Sequence, residues 1–252
     1  MDIALEILLA LFSVGVFAGF IDTIAGGGGM LTIPALFMSG LPPEAALATN
    51  KLQASFGTTS AAFYFWRKGK ILLRPMLGAI ATTALGAALG VFLLTQIPNA
   101  WLQKGIPVLL IIVALIFLKM PAIGSVSRDA RHSFAAFALG AALPIGFYDG
   151  FLGPGTGSFF ILALIAMRGK SLTDATMEAK VYNATSNLVS LFVFMLGGHI
   201  HWIAGLCMGG GQILGAKLAS GVVMTRGNRV IRPMVIAMSI VMSLVLIYRY
   251  WL

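Results

Sequence analysis

The chain interrupts its apolar stretches twice in the same way. Gly19-Phe20-Ile21-Asp22, followed by the run Gly26, Gly27, Gly28 and Gly29, returns as Gly146-Phe147-Tyr148-Asp149, followed by Gly153-Pro154-Gly155-Thr156-Gly157. Each copy sets one carboxylate and a glycine-rich break among residues that otherwise suit hydrocarbon. A carboxylate at bilayer depth is costly and marks a functional site by default. Two broken apolar segments at corresponding positions of two halves point to a transporter site at a repeat interface.

The rest of the chain supplies the membrane for such a site. Of 252 residues, 59% are hydrophobic and only 10% are charged, too many apolar runs for a water-soluble core. Apolar segments cover 5–21, 30–39, 48–66, 75–95, 104–119, 134–148, 158–167, 178–197, 203–224 and 233–251. Several reach the roughly 20 residues that cross a bilayer, and none alternates as barrel strands do. The fold class is all-α: a polytopic membrane protein of about 8–10 transmembrane or broken helices in two inverted-topology repeats. Residues 1–120 form the N-terminal repeat and 134–252 the C-terminal repeat of one membrane domain, joined by a cytoplasmic linker over 121–133. Segments 30–39 and 158–167 are short, so 22–40 and 149–168 are either full crossings or re-entrant pairs.

The net charge of +9 does not describe a nucleic-acid surface, because the basic residues sit in short loops between apolar segments. Arg67, Lys68, Lys70 and Arg74 fill one loop, Lys119, Arg128 and Arg131 flank another, and Arg168 with Lys170 and Arg226 with Arg229 and Arg232 mark two more. Placing these loops in the cytoplasm leaves both termini outside it. The basic loop 67–74 aligns with the uncharged loop 197–202, so equivalent loops face opposite sides. The N-terminus carries Asp2 and Glu6 rather than the basic start of a cleavable signal. A single cysteine, Cys207, leaves neither a disulfide framework nor a metal cluster, and nothing calls for a cofactor.

The halves align beyond their aspartates. Lys51 falls on Lys180 when the second half has two extra residues after its break. Thr82, Gly86 and Gly90 then match Gly211, Gly215 and Ala219, a small residue every fourth position that lets helices approach closely in lipid. These helices are assigned to packing rather than chemistry.

The breaks suit an anion, because glycine leaves amides bare and a helix start adds partial positive charge. Candidate binding residues are therefore Gly26, Gly27, Gly28, Gly29, Gly153, Gly155 and Gly157, with Asn50, Lys51, Gln53, Lys180, Asn183 and Asn187 from the polar stretches that follow. Each lysine lies toward the start of its helix, against the dipole, so it either meets an anion or snorkels to the interface. Asp22 and Asp149 have two readings: proton coupling, or structural caps on the amides of the breaks. Glu178 is placed at a helix start, where it complements the dipole. A proteolytic dyad is the remote alternative. Tyr148-Asp149 and Pro34-Ala35-Leu36 have the parts of an intramembrane aspartyl protease in the wrong order, without Gly-Xaa-Gly-Asp.

Together, Gly19 to Gly29, Ala48-Thr49-Asn50-Lys51-Leu52-Gln53, Gly146 to Gly155 and Ala179-Lys180 with Asn183 to Asn187 resemble the TauE/SafE family of bacterial membrane transporters, across the whole chain. The resemblance implies a multi-pass protein of the bacterial inner (cytoplasmic) membrane that exports sulfite, organosulfonates or related sulfur-containing anions. It also implies paired motifs at Asp22 with Gly26 to Gly29 and Asp149 with Gly153 to Gly157; Pro154 departs from the glycine run, so the two loops need not bind alike. The branch it most resembles has no assigned substrate. The expected activity is not enzymatic: it is a secondary transporter, an exporter working by alternating access, with a passive anion channel as the alternative. Its expected partners are a small anionic substrate and the lipid bilayer, with room for a homo-oligomer and no nucleic acid.

Overall fold

The computed structural model describes residues 4–102 and 129–226, with Gly105, Val108 and Ile112 between them. Apart from those three residues the expected segment 104–119 lies outside the described residues, as do 233–251, Arg229, Arg232 and the linker up to Arg128. Among the described residues eight helices carry the fold: α1 (Leu5–Ala25), α2 (Gly29–Met38), α3 (Pro43–Arg67), α4 (Leu77–Thr95), α5 (Phe134–Phe151), α6 (Thr156–Arg168), α7 (Leu172–Gly197) and α8 (Trp202–Arg226). Among the described residues α1, α5, α8 and the stretch Arg74–Thr95 are long and apolar enough to cross a bilayer.

Local chemistry sets the boundaries. Gly26 ends α1 in the left-handed region, at φ 79°, and α2 restarts after only Gly27 and Gly28. Pro43 opens α3 at its first position, where a missing N–H costs nothing. Ser171 caps α7 by accepting the Asp174 N–H at 3.1 Å. Inside α5, residues Ala138–Ala142 form a π turn just before Pro144, the kind of local adjustment that absorbs a helical proline.

The short helices fold back. Leu36 of α2 packs with Leu11 of α1 and with Leu41 and Ala46, so α2 returns to the face from which α1 starts. At α6 the backbone N–H groups of Arg131 and His132, just before α5, donate to Met167 O, so α6 returns to the start of α5. Ten and 13 residues make helices of about 15 and 20 Å, short of a core about 30 Å thick. Each break is thus the tip of a helical hairpin.

The halves are interlocked. The first helix of each packs on the fourth helix of the other: α1 on α8, α5 on α4. Both contacts run parallel and are close enough to exclude a methyl group. A Cβ on Gly86 would lie 2.2 Å from Leu143 O, and one on Gly215 would lie 2.0 Å from Val16 O. In the centre α3 and α7 cross antiparallel: Leu47 and Ala48 cluster with Phe194, and Ala61 and Phe65 with Leu172 and Ala175. Equivalent helices therefore point in opposite directions, and the two repeats are inverted relative to each other. Arg67, Lys68, Lys70, Arg74, Arg131, Arg168 and Lys170 gather on one side, called here the basic face.

Two sequence expectations change. Segments 48–66 and 178–197 are the inner parts of longer helices, so Lys51 and Lys180 are each the ninth residue, two turns beyond the start. The helix-end field fades within the first turn, and the dipole argument for the lysines no longer applies. Glu178 is likewise not at a helix start: Asp174 occupies the first turn, and Glu178 accepts from Lys170 at 2.6 Å.

Candidate functional site

The two hairpin tips meet between the halves. Ser158 donates its hydroxyl to Ala25 O and its N–H to Gly26 O, the latter at 3.4 Å. A Cβ on Gly26 would fall 2.2 Å from Ser158 N, so glycine is required there for approach as well as for φ. Beside this junction lies a cavity lined by Asp22, Gly26, Gly28 and Gly29 from the first break and Asp149, Gly153, Gly155, Thr156 and Gly157 from the second. Asn50, Ala54 and Thr58 of α3, Asn183 and Asn187 of α7 and Gln212 of α8 complete the wall. Water centres reach only about 20 Å³ of it, space for about one water.

Each aspartate is held by a lysine of the opposite half. Lys51 Nζ donates to Asp149 Oδ1 at 2.7 Å and to Asp149 O. Lys180 Nζ donates to Asp22 Oδ2 at 3.0 Å and to Asp22 O. The lysine side chains are 1% and 0% exposed, so neither snorkels to an interface. Such pairs tolerate burial only because each charge is met by another and by further hydrogen bonds. Besides its carboxylate, each ammonium takes the backbone carbonyl of the same aspartate, in the last turn of the broken helix; Asp22 O accepts the Gly26 N–H at 2.7 Å as well.

The cavity wall offers donors as well as the two carboxylates. Asn50 Oδ1 accepts from Gln53 Nε2 at 2.7 Å and from Thr32, which leaves the Asn50 NH2 to donate. Asn183 Oδ1 accepts from Asn187 Nδ2 at 3.0 Å, and its own Nδ2 lies against Gly157, 3.2 Å from where a Cβ would be. Gln53 therefore acts behind Asn50 rather than on the cavity. Gly27 does not line it, nor do Lys51 and Lys180, whose ammonium groups stand behind the carboxylates. Asp22 Oδ1 accepts the Gly28 N–H at 3.2 Å. Asp149 takes no amide; it accepts the Thr156 hydroxyl at 2.9 Å. The carboxylates are engaged with lysines rather than with each other, which is not a dyad sharing a proton.

Ala54, Thr58, Thr156 and Gln212 line the cavity without being among the sequence candidates, and of these Gln212 comes from a helix given no part in the site. It sits within the small-residue stripe of α8, which was assigned to packing alone. Its side chain fits between α1 and α3 because Gly57 faces it: a Cβ there would fall 2.3 Å from Gln212 Oε1. An amide interrupting a small-residue stripe was the available signal.

The chain is 48% identical over 248 residues to a probable membrane transporter protein of Haemophilus influenzae, covering 98% of this chain and 97% of the relative. It is 46% identical over 242 residues to the probable membrane transporter protein YfcA of Escherichia coli K12, covering 96% of this chain and 90% of the relative. A probable membrane transporter protein of Bacillus subtilis, YdhB, is 26% identical over 204 residues, 78% of each chain. No solved structure matches the chain. The sulfite exporter TauE/SafE family matches residues 11–246, which takes in both breaks and both lysines, and the chain belongs to that family as a membrane transporter.

Proposed function

We propose that the protein is a secondary transporter, an exporter, of small anions across the bacterial inner membrane by alternating access. Sulfite, organosulfonates or related sulfur compounds are the substrate class. One observation carries this reading: a cavity walled by both helix breaks and bracketed by two lysine–aspartate pairs that cross between inverted halves. Helix starts and the amides of Asn50 and Asn183 would meet the anion, with Lys51 or Lys180 as its counter-charge once that lysine turns from its aspartate. Rocking one half against the other would open the cavity to each side in turn. The cavity's narrowness supports gated access rather than a standing pore. The repeats would be 1–120 and 134–252, with the basic face cytoplasmic and both termini outside.

The test is flux of sulfite and taurine in proteoliposomes of the purified protein, with and without a pH gradient. Accumulation against a concentration gradient is the expected result. Non-saturating flux that only equalises concentrations would assign a channel, and no flux of either compound would overturn the substrate class.

A further inference from the structure

An anion drawn into this cavity faces a charge problem. With the site empty, the Lys51 ammonium and the Asp149 carboxylate cancel. If Lys51 turns to an incoming anion, Asp149 is left as an uncompensated buried charge, which is strongly unfavourable. The same holds for Lys180 and Asp22, but the two aspartates are not equally placed to resolve it.

Both oxygens of Asp22 are engaged, Oδ1 by the Gly28 N–H at 3.2 Å and Oδ2 by Lys180 at 3.0 Å. Asp149 carries both of its donors on Oδ1, Lys51 at 2.7 Å and Thr156 at 2.9 Å. Asp149 Oδ2 is buried without a hydrogen-bond partner, on a side chain 2% exposed that lines the cavity. A buried carboxylate oxygen in that state is rare and calls for an occupant.

The sequence explains the difference. In the first break Gly28 is helical, at φ −55°, and its N–H reaches back to Asp22. In the second, Pro154 has no N–H, and Gly153 and Gly155 flank it in the left-handed region at φ 93° and 78°. No backbone amide of that break reaches Asp149.

We propose that Asp149, and not Asp22, loads a proton with each anion, and that the proton sits on Oδ2. This rests on the anion-transport reading above. When the anion takes Lys51, a proton from the bulk solution, carried in as hydronium that leaves as water, bonds to Oδ2; the ammonium keeps its own protons. The filled site, with a monoanion, an ammonium and a neutral carboxylic acid, then has the same net charge as the empty one. Asp22 remains ionised on Lys180 as the fixed brace of the opposite end. By linkage, anion binding and proton binding strengthen each other equally.

The groups around Asp149 are few. Lys51 faces it from α3, and Asp22 of α1 lines the same cavity with Lys180 of α7 behind it. On α5 itself the Tyr148 hydroxyl donates to Pro154 O at 2.6 Å. Helices α2 and α4 have no titratable side chain, and α6 has only Arg168 at its far end. α8 contributes the uncharged Gln212 to the wall. On α7, Tyr182 packs against Phe137 and Phe160, away from the cavity wall, and Glu178 is engaged by Lys170.

The experiment is proton uptake by purified protein on adding ethanesulfonate, whose charge does not vary with pH, read with an indicator dye in weak buffer. Wild type should take up a proton per anion bound. Asp149→Asn should still bind ethanesulfonate, with uptake per anion falling to near zero. Asp22→Asn should bind more weakly but keep the uptake per anion. Uptake retained in Asp149→Asn, uptake lost only in Asp22→Asn, or binding that requires sodium without proton uptake would each overturn the proposal. If Asp149→Asn does not fold, infrared difference spectra of wild type and Asp22→Asn decide. A protonated-carboxyl band that appears with the anion in both is expected, and its absence overturns the proposal. If wild type binds neither ethanesulfonate nor sulfite, the transport reading itself falls instead.

Discussion

The two ends of the cavity are copies that have diverged in their polar lining and in the backbone of their breaks. At each, a lysine on the ninth residue of a long helix crosses to the aspartate of the opposite half. The packing beneath is copied as well, with Gly86 and Gly215 in backbone contact with α5 and α1. The polar lining is not copied. Asn50, Asn183 and Asn187 have Ala179, Ala54 and Thr58 as their repeat counterparts, so the amides crowd the part of the cavity away from the basic face. That part also holds the Lys51–Asp149 pair and the unpartnered Oδ2. Duplication supplies a frame with two equivalent ends; a few later substitutions give that frame a direction.

The largest effect should come from removing one lysine. Lys51→Met leaves Asp149 buried without a counter-charge and should destabilise the protein by about 3–5 kcal/mol, read as thermal unfolding in detergent. Adding Asp149→Asn should restore most of the loss. Lys180→Met should cost about 1 kcal/mol less, because Asp22 keeps the Gly28 N–H; equal losses would erase the distinction between the ends. Next come the close-packed glycines. Gly86→Ala and Gly215→Ala should each destabilise by about 1–3 kcal/mol and by similar amounts, since both press a methyl group into a neighbouring backbone; clearly unequal values would mean the packing is less symmetric than it looks. The smallest is Pro154→Gly, with about 0.4–1 kcal/mol lost through a freer unfolded chain. It should also bring the second break nearer the first and reduce ethanesulfonate-linked proton uptake; unchanged uptake would remove Pro154 as the source of the asymmetry.

Much of this frame was legible in the sequence. The repeated aspartate-and-glycine breaks, the alignment of Lys51 with Lys180 and the small-residue stripes are periodic or duplicated signals that survive in one dimension. The pairing of each lysine with the other half's aspartate was not, because residues 98 and 158 positions apart meet only through the interlocking of α1 with α8 and α5 with α4. The lysines' place along their helices was misread because Ala45, Ala46 and Leu47 carry no turn signal, and the true start lies at Pro43. Gln212 was hidden by its setting: in a stripe of small residues, one amide reads as part of the seam. Pro154 was visible as a departure from the glycine run, but its effect depends on backbone angles that the sequence does not state.

The most direct test of the cavity as the transport site is Asn183→Leu in proteoliposomes, compared with wild type at equal amounts of folded protein. Losing a hydrogen bond to a charged ligand is worth about 1.5–3 kcal/mol, so half-saturating sulfite should rise about 10- to 150-fold with folding unchanged. Sulfite accumulation in the variant equal to wild type at every concentration would contradict the assignment, and would move the anion site away from the junction of the two breaks.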